Sequence, residues 1–241
     1  MTTCKERIYD EIYGENTILY EPPSGLTGSL YKKFLKHEIS RHHVVCKLLD
    51  TIGGKLLDVG CGDGDFLFMA KDKFAECFGV DVSPMRIEKA KHNFKGKNQS
   101  ESFHFYSCDI DDGLPFSECE FDAVTCISVL EHVLNPPSTV KEIFRILKPG
   151  GIFIVQVPNF AWLPSRFQLL LGKLPMTGGV YSGADWEHLH NFTQSILHHL
   201  LQEKGFVVQK TVSSGVFANY RNWWHSALGG DLIVKCAKST S

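Results

Sequence analysis

Residues 56–66 read LLDVGCGDGDF, from Leu56 to Phe66, and this stretch decides the fold. An apolar run containing one acid, Asp58, passes straight into Gly60, Gly62 and Gly64. Glycine lets a chain turn sharply and lets a ligand approach the backbone with no Cβ in the way. Doubly wound sheets bind ligands at the carboxyl ends of their strands, beside the topological switch point. Two phosphate-binding patterns fail here. The dinucleotide spacing G-x-G-x-x-G would need glycine at Asp65, and no Gly-Lys-Ser/Thr of a Walker loop follows. Asp58, Asp63 and Asp65 would repel a pyrophosphate and suit a cationic or zwitterionic ligand, a sulfonium before NAD. Taken alone, the loop reads equally well as a tight turn.

Outward from this loop, short β-like runs alternate with helical stretches, the signature of βαβ units and a parallel sheet. Strands are expected at Lys55–Val59, Glu76–Val80, Ser102–Cys108, Phe121–Ile127 and Gly151–Val157, with helices at about Phe66–Lys73, Pro84–Phe94 and Ser138–Leu147. Pro149-Gly150-Gly151 is expected to end the last of these helices and turn the chain. A helix opened by Thr193 and running to Lys204, then strands at Gly205–Ser213 and Gly230–Ala237, bring the total to seven strands. Residues 158–192 break the rhythm with clustered Pro and Gly plus Trp162, Tyr181 and Trp186, and read as a functional insertion or lid. Residues 1–50 read as a helical cap over the site or the sheet edge, and residues 51–241 as one domain.

Composition agrees with a single core. The chain has 241 residues, 43% of them hydrophobic, and a formal charge of -2. It lacks the basic footprint of a dedicated nucleic-acid binder, so a nucleic-acid acceptor is disfavoured. No two of the eight cysteines form a C-x-x-C pair, which points to structural thiols and to no metal site. The start, MTTCKERIYDE, is charged, and no run nears the roughly 18 apolar residues of a membrane span. A cytoplasmic protein is expected.

Three further segments carry chemistry. FGVDVS ends the second strand on Asp81, where a carboxylate can accept from both ribose hydroxyls. The competing reading is a helix N-cap box with Ser83 and Pro84. Cys108-Asp109-Ile110 closes the third strand, an acid for an adenine amino group followed by an aliphatic for its ring, or else a plain turn. FDAVTCISVLEHV, residues 121–133, is a buried strand that delivers Ser128, Glu131 and His132 to the same edge.

In order and spacing these segments resemble the motifs of the class I S-adenosylmethionine-dependent methyltransferases, closely over about Lys55–Val157 and more loosely beyond. The resemblance implies an α/β, Rossmann-like, doubly wound seven-stranded sheet with the last strand antiparallel and helices on both faces. It implies S-adenosyl-L-methionine as cofactor and S-adenosyl-L-homocysteine as product. It places Asp58, Gly60, Cys61, Gly62 and Gly64 along the methionine moiety, Asp81 and Val82 at ribose, Asp109 and Ile110 at adenine, and Ile127 and Ser128 at the next strand end. Asn135-Pro136-Pro137 is similar to the Asn-Pro-Pro-aromatic motif of amino methyltransferases, but it comes later and Ser138 follows, so it reads as a helix start.

Methyl transfer from a sulfonium is an in-line displacement that positioning and exclusion of water largely accelerate. A base helps if the acceptor is a hydroxyl, and histidine suits that task. The candidates are His132 and, in WEHLH, His188 and His190, whose alternative role is to anchor the insertion. His42-His43 and His198-His199 are adjacent on helices, where neighbours point apart, so neither pair suits a metal. Aromatic residues of the insertion, Phe160, Trp162, Phe167, Tyr181 and Trp186, suggest a pocket for a small organic acceptor, or else pack the lid itself. Residues 158–176 and the later HLHNFT, His188–Thr193, are also similar to methionine-biosynthesis W-like proteins and to many small methyltransferases, and the first of these implies an alternative in which the chain is a partner module of another enzyme. An NAD-linked dehydrogenase is the third reading. Oligomeric state is not legible, nor is the role of Trp223-Trp224 as core or interface.

Overall fold

The computed structural model describes residues 38–50, 53–96, 100–175, 188–216 and 218–240. In chain order its elements are β1 (Glu38–Ile39), α1 (Arg41–Leu48), β2 (Lys55–Val59), α2 (Asp65–Ala70), β3 (Glu76–Asp81), α3 (Pro84–Phe94), β4 (Phe103–Ser107), β5 (Phe121–Ile127), α4 (Pro136–Ile146), β6 (Leu147–Pro158), α5 (Leu163–Leu170), α6 (Gln194–Glu203), β7 (Phe206–Val212), β8 (Gly215–Val216), α7 (Ala218–Arg221), α8 (His225–Leu228) and β9 (Asp231–Lys238).

Seven strands form one sheet in the order β4-β3-β2-β5-β6-β9-β7. All neighbours pair parallel except β9, which is antiparallel to both β6 and β7. The continuous apolar strands follow from burial on both faces. Alternation decides which side each residue serves. Leu57, Val59 and Val124 point into a core with Val140, Ile143 and Ile146 of α4 and Leu197 and Leu201 of α6. Leu56 and Ala123 point the other way, against Val45 of α1, Phe66 and Leu67 of α2, and Ile87 and Ala90 of α3. The expected layered sheet, with helices on both faces and one antiparallel strand, is the observed one.

Helix starts follow their capping residues. Ser83 Oγ accepts from Arg86 N at 3.3 Å, with Pro84 in the first turn of α3. Asn135 Oδ1 accepts from Ser138 N at 3.2 Å ahead of Pro136 and Pro137, so Asn-Pro-Pro is a helix start. Several boundaries shift slightly, and the largest shift is the start of β6, at Leu147 where Gly151 was expected. α4 stops at Ile146, ahead of Pro149-Gly150-Gly151, because Leu147 is buried in the sheet and Lys148 Nζ reaches both Asp122 carboxylate oxygens at 2.8 Å.

The insertion leaves and returns at one point. Asn159 bridges to Phe192, and Phe160 N donates to Phe192 O at 2.9 Å. Asn159 is fully buried, and its Nδ2 donates to Gly229 O and Ser226 O at 2.9 and 3.1 Å. Five elements are not announced by the sequence: the paired strands β1 and β8, helix α5 within the insertion, and the short helices α7 and α8. Trp223 and Trp224 are 85% and 54% exposed, so this pair is not core. Tyr181 and Trp186, together with most of the expected cap, lie outside the described residues. No helix among the described residues is long and apolar enough to cross a membrane.

Candidate active site

The carboxyl ends of β2, β3 and β5, with the turn after β4, surround a cavity of about 690 Å³. Backbone bonds clip the glycine loop to the tip of β3. Gly60 N and Cys61 N both donate to Val80 O, at 2.8 and 3.0 Å, and Gly62 N donates to Asp81 Oδ2 at 2.9 Å. Gly60 has φ +74°, and a Cβ there would lie 2.1 Å from Val129 Cγ2. At Gly62, with φ +52°, a Cβ would lie 3.0 Å from Arg86 Nη1. Position 60 therefore needs glycine, and at Gly62 a side chain would be strained and would press on Arg86.

Asp81 supports the capped start of α3, whose N-cap is Ser83, and also braces the glycine loop. Its Oδ1 accepts from Ser83 N at 2.9 Å, which orders the start of α3, while Oδ2 holds the loop. A carboxylate has about four acceptor directions, so two remain for a pair of vicinal hydroxyls. Burial raises its pKa, against the pull of the Ser83 and Gly62 amides. Asp58 is more deeply placed, 3% exposed, with Oδ1 2.6 Å from Thr125 Oγ1. Burial pushes its pKa up to about 7, opposed by the Thr125 hydrogen bond. A cation beside it would restore the carboxylate. Asp109 caps the turn after β4, its Oδ1 accepting from Asp111 N at 3.1 Å, with Ile110 beside it.

Ser128, just past β5, holds φ +55°, a costly conformation for a residue with a side chain. Its Oγ donates to Gln156 Oε1 at 2.7 Å and accepts from Arg41 Nη1 at 2.5 Å. Beyond it the chain meets the far end of the insertion. Leu189 N and His190 N donate to Glu131 O at 2.9 and 3.1 Å, and His190 Nε2 lies 3.0 Å from Val133 O. The His132 and His188 rings come within 4.8 Å of each other, and His132 Nε2 is 3.9 Å from Glu131 Oε1.

Of the residues singled out in the sequence, Asp58, Gly60, Cys61, Gly62, Asp81, Val82, Asp109, Ile110, Ile127, Ser128, His132 and His188 all line the cavity. Two do not. Gly64 opens α2, and His190 sits at the anchor of the insertion. Phe160, Trp162 and Phe167 do not line it either, and Phe167 is 58% exposed. Sequence reasoning missed Arg41 and Arg86, both of which line the cavity. Arg41 stands 87 residues from the Ser128 it bonds, and no periodicity links them. The described cysteines are free thiols, and burial holds Cys61 and Cys126 well above the usual thiol range.

The donor set suits a cationic nucleoside: a glycine loop whose residues border the cavity, acids at or just past successive strand ends, and about 690 Å³ of space. Known proteins agree. A family model described as a methyltransferase domain matches residues 31–211. The demethylmenaquinone methyltransferase of Leptospira interrogans is 29% identical over 195 residues, 73% of this chain and 77% of that protein. A sterol 4-C-methyltransferase of Caenorhabditis elegans is 32% identical over 149 residues, 61% of this chain and 43% of that protein. The ubiquinone biosynthesis O-methyltransferase of Psychrobacter arcticus is 27% identical over 121 residues, 50% of this chain and 47% of that protein. The chain thus spans less than half the length of the sterol and ubiquinone relatives. Among solved structures, an S-adenosylmethionine-dependent methyltransferase of Thermotoga maritima aligns with TM-score 0.65 and 18% identity over 97% of this chain and 99% of its own. The [4+2]-cyclase SpnF aligns with TM-score 0.63 and 19% identity, covering 98% of this chain and 96% of its own, so the fold alone does not name a reaction. With the matched model spanning well over half of the residues, this chain belongs to the methyltransferase-domain family and takes S-adenosylmethionine as its cofactor.

Proposed function

We propose that the chain moves the sulfonium methyl of S-adenosylmethionine, by direct in-line transfer, to a small organic acceptor bound on the His132–His188 side of the cavity. The observation that carries this reading is the double engagement of Asp81, whose carboxylate holds the glycine loop and still faces the cavity with free acceptor directions. In this reading Asp81 and Val82 hold the ribose, and Asp109 and Ile110 the adenine. Gly60, Cys61 and Gly62 run along the methionine moiety, and Asp58 balances its positive charge. Ile127 and Ser128 close the floor, and Gly64 sets the start of α2.

When bound, the cofactor supplies an activated methyl group, so the protein's task is placement and dryness. His132 and His188 stand where an acceptor hydroxyl would need a proton acceptor, and His190 positions them through Val133 O. Of the expected cap, the described Arg41 reaches the cavity and bonds Ser128. Quinone and sterol methyltransferases among the relatives support a small organic acceptor. Free cysteines suit a reducing cytoplasm.

The test is calorimetric titration with S-adenosylhomocysteine, followed by transfer of labelled methyl across a panel of phenolic and quinol acceptors. Binding with no transfer to any small molecule, and capture of a protein partner instead, would favour the partner-module reading.

A further inference from the structure

We propose that Glu131, His132 and His188 form a binding site for one divalent first-row metal ion on the acceptor side of the cavity. The inference rests on reading this cavity as the methyl-transfer site and deepens it by assigning how the acceptor is held. Cysteine spacing led to the opposite expectation. The reason is that these ligands share no local motif: His188 joins the Glu131-His132 pair only through the fold.

Each of the three side chains offers one ligand atom, and these atoms all lie within 4.8 Å of one another. Two ligands at about 2.1 Å from one ion stand about 3 Å apart when adjacent and about 4.2 Å apart when opposed. Small side-chain rotations therefore close the set. It is the only such group of His, Cys, Asp and Glu among the described residues.

The frame around it is firm. Amides of Leu189 and His190 both bond Glu131 O, and His190 Nε2 meets Val133 O, so three bonds sew the segment carrying His188 to the loop carrying the other two ligands. Glu131 is 1% exposed, and a carboxylate so deeply buried is costly unless charge compensates it. Two imidazoles and a carboxylate suit zinc, iron or cobalt better than magnesium or calcium, which prefer all-oxygen shells.

All three residues line the cavity, so the open coordination positions face the acceptor. An ion there would bind an acceptor oxygen and lower the pKa of its hydroxyl. The two imidazoles would then hold the ion, and the released proton would pass to solvent.

The experiment uses untagged full-length protein, stripped of metal and saturated with S-adenosylhomocysteine, and titrated with Zn²⁺. One ion per chain is expected. His188→Ala should weaken Zn²⁺ binding about 100-fold or more, and Glu131→Gln, which keeps the side-chain shape, at least tenfold. His199→Ala, in a separate groove, should bind as wild type does. Co²⁺ added to wild-type protein should give a visible spectrum of low-symmetry nitrogen and oxygen ligation, a readout that survives if a variant fails to fold. Absence of stoichiometric Zn²⁺ binding by wild type, or binding that both variants leave intact, overturns the proposal. Titration with S-adenosylhomocysteine on the same samples separates the two ideas. If the nucleoside binds and zinc does not, only the metal site fails. If neither binds, the reading of the cavity fails too.

Discussion

The two sides of the cavity are built by opposite means. On the cofactor side, the loop and the acids come from the ends of β2 and β3 and the turn after β4, and most of the ordering is done by backbone amides within one βα step of the residue they hold. On the acceptor side, α1, the loop after β5 and the return of the insertion meet from distant parts of the chain, and side chains do much of the holding. A donor common to a whole family can be gripped by local, backbone-driven geometry. An acceptor that differs among relatives is met by residues that can change without disturbing the sheet.

The comparison breaks most visibly at Asp81. Asp81→Ala removes both the proposed ribose acceptor and the brace of the loop, so S-adenosylhomocysteine affinity should fall more than about 100-fold, roughly 3 kcal/mol. An unchanged titration would end the cofactor-side account.

Asp58 sharpens it through pH. Its folded pKa is raised to about 7, so the stability it contributes to the cofactor-free protein is complete below about pH 4 and is lost as pH climbs through 7. Asp58→Asn should flatten that decline, an effect of roughly 3 kcal/mol in denaturant melts between pH 4 and 8. A bound cation reverses the preference, so wild-type affinity for S-adenosylmethionine should rise over the same window, and that of the variant should not.

Asn159 tests the support of the acceptor side alone. Replacing it with alanine strips partners from the buried carbonyls of Ser226 and Gly229 and should cost about 2 kcal/mol of stability. Nucleoside affinity should stay within about twofold, and a larger loss would show that the two sides are mechanically one.

The smallest expected effect is at His188. In metal-free enzyme, His188→Ala should lower kcat about tenfold, roughly 1.4 kcal/mol, with nucleoside affinity unchanged. Loss confined to nucleoside binding would move this histidine to the other side of the cavity.

The same asymmetry explains what could be read in advance. Lys55–Val59 and Phe121–Ile127 match the strands residue for residue, because a continuous apolar run between turn signals has few other outcomes. Gly60, Asp81 and Asp109 were legible because each sits at a strand end whose position the strand itself announces. Arg41 was not, since its partner Ser128 is fixed only once the sheet has assembled. For three aromatic residues of the insertion, the reading as pocket lining fails for a related reason. Phe160, Trp162 and Phe167 look like pocket lining in one dimension, yet the Asn159–Phe192 closure leaves them off the cavity wall. His188 and His190 differ by two positions in sequence, but backbone bonds to Glu131 O set one ring in the cavity and the other on Val133.

The place of β9 has a kinetic consequence. This strand is wedged between β6 and β7, with Ala237 opposite Ile152 and Lys238 opposite Phe206. Although β7 is synthesised earlier, it has no neighbour in the sheet until β9 has left the ribosome and docked. The β2–β6 half can therefore assemble while translation continues, whereas the far edge must wait for its keystone. Its closure is then the slow, long-range step of folding, and before it β6 stands as an open edge at which a nascent chain is most exposed to mispairing.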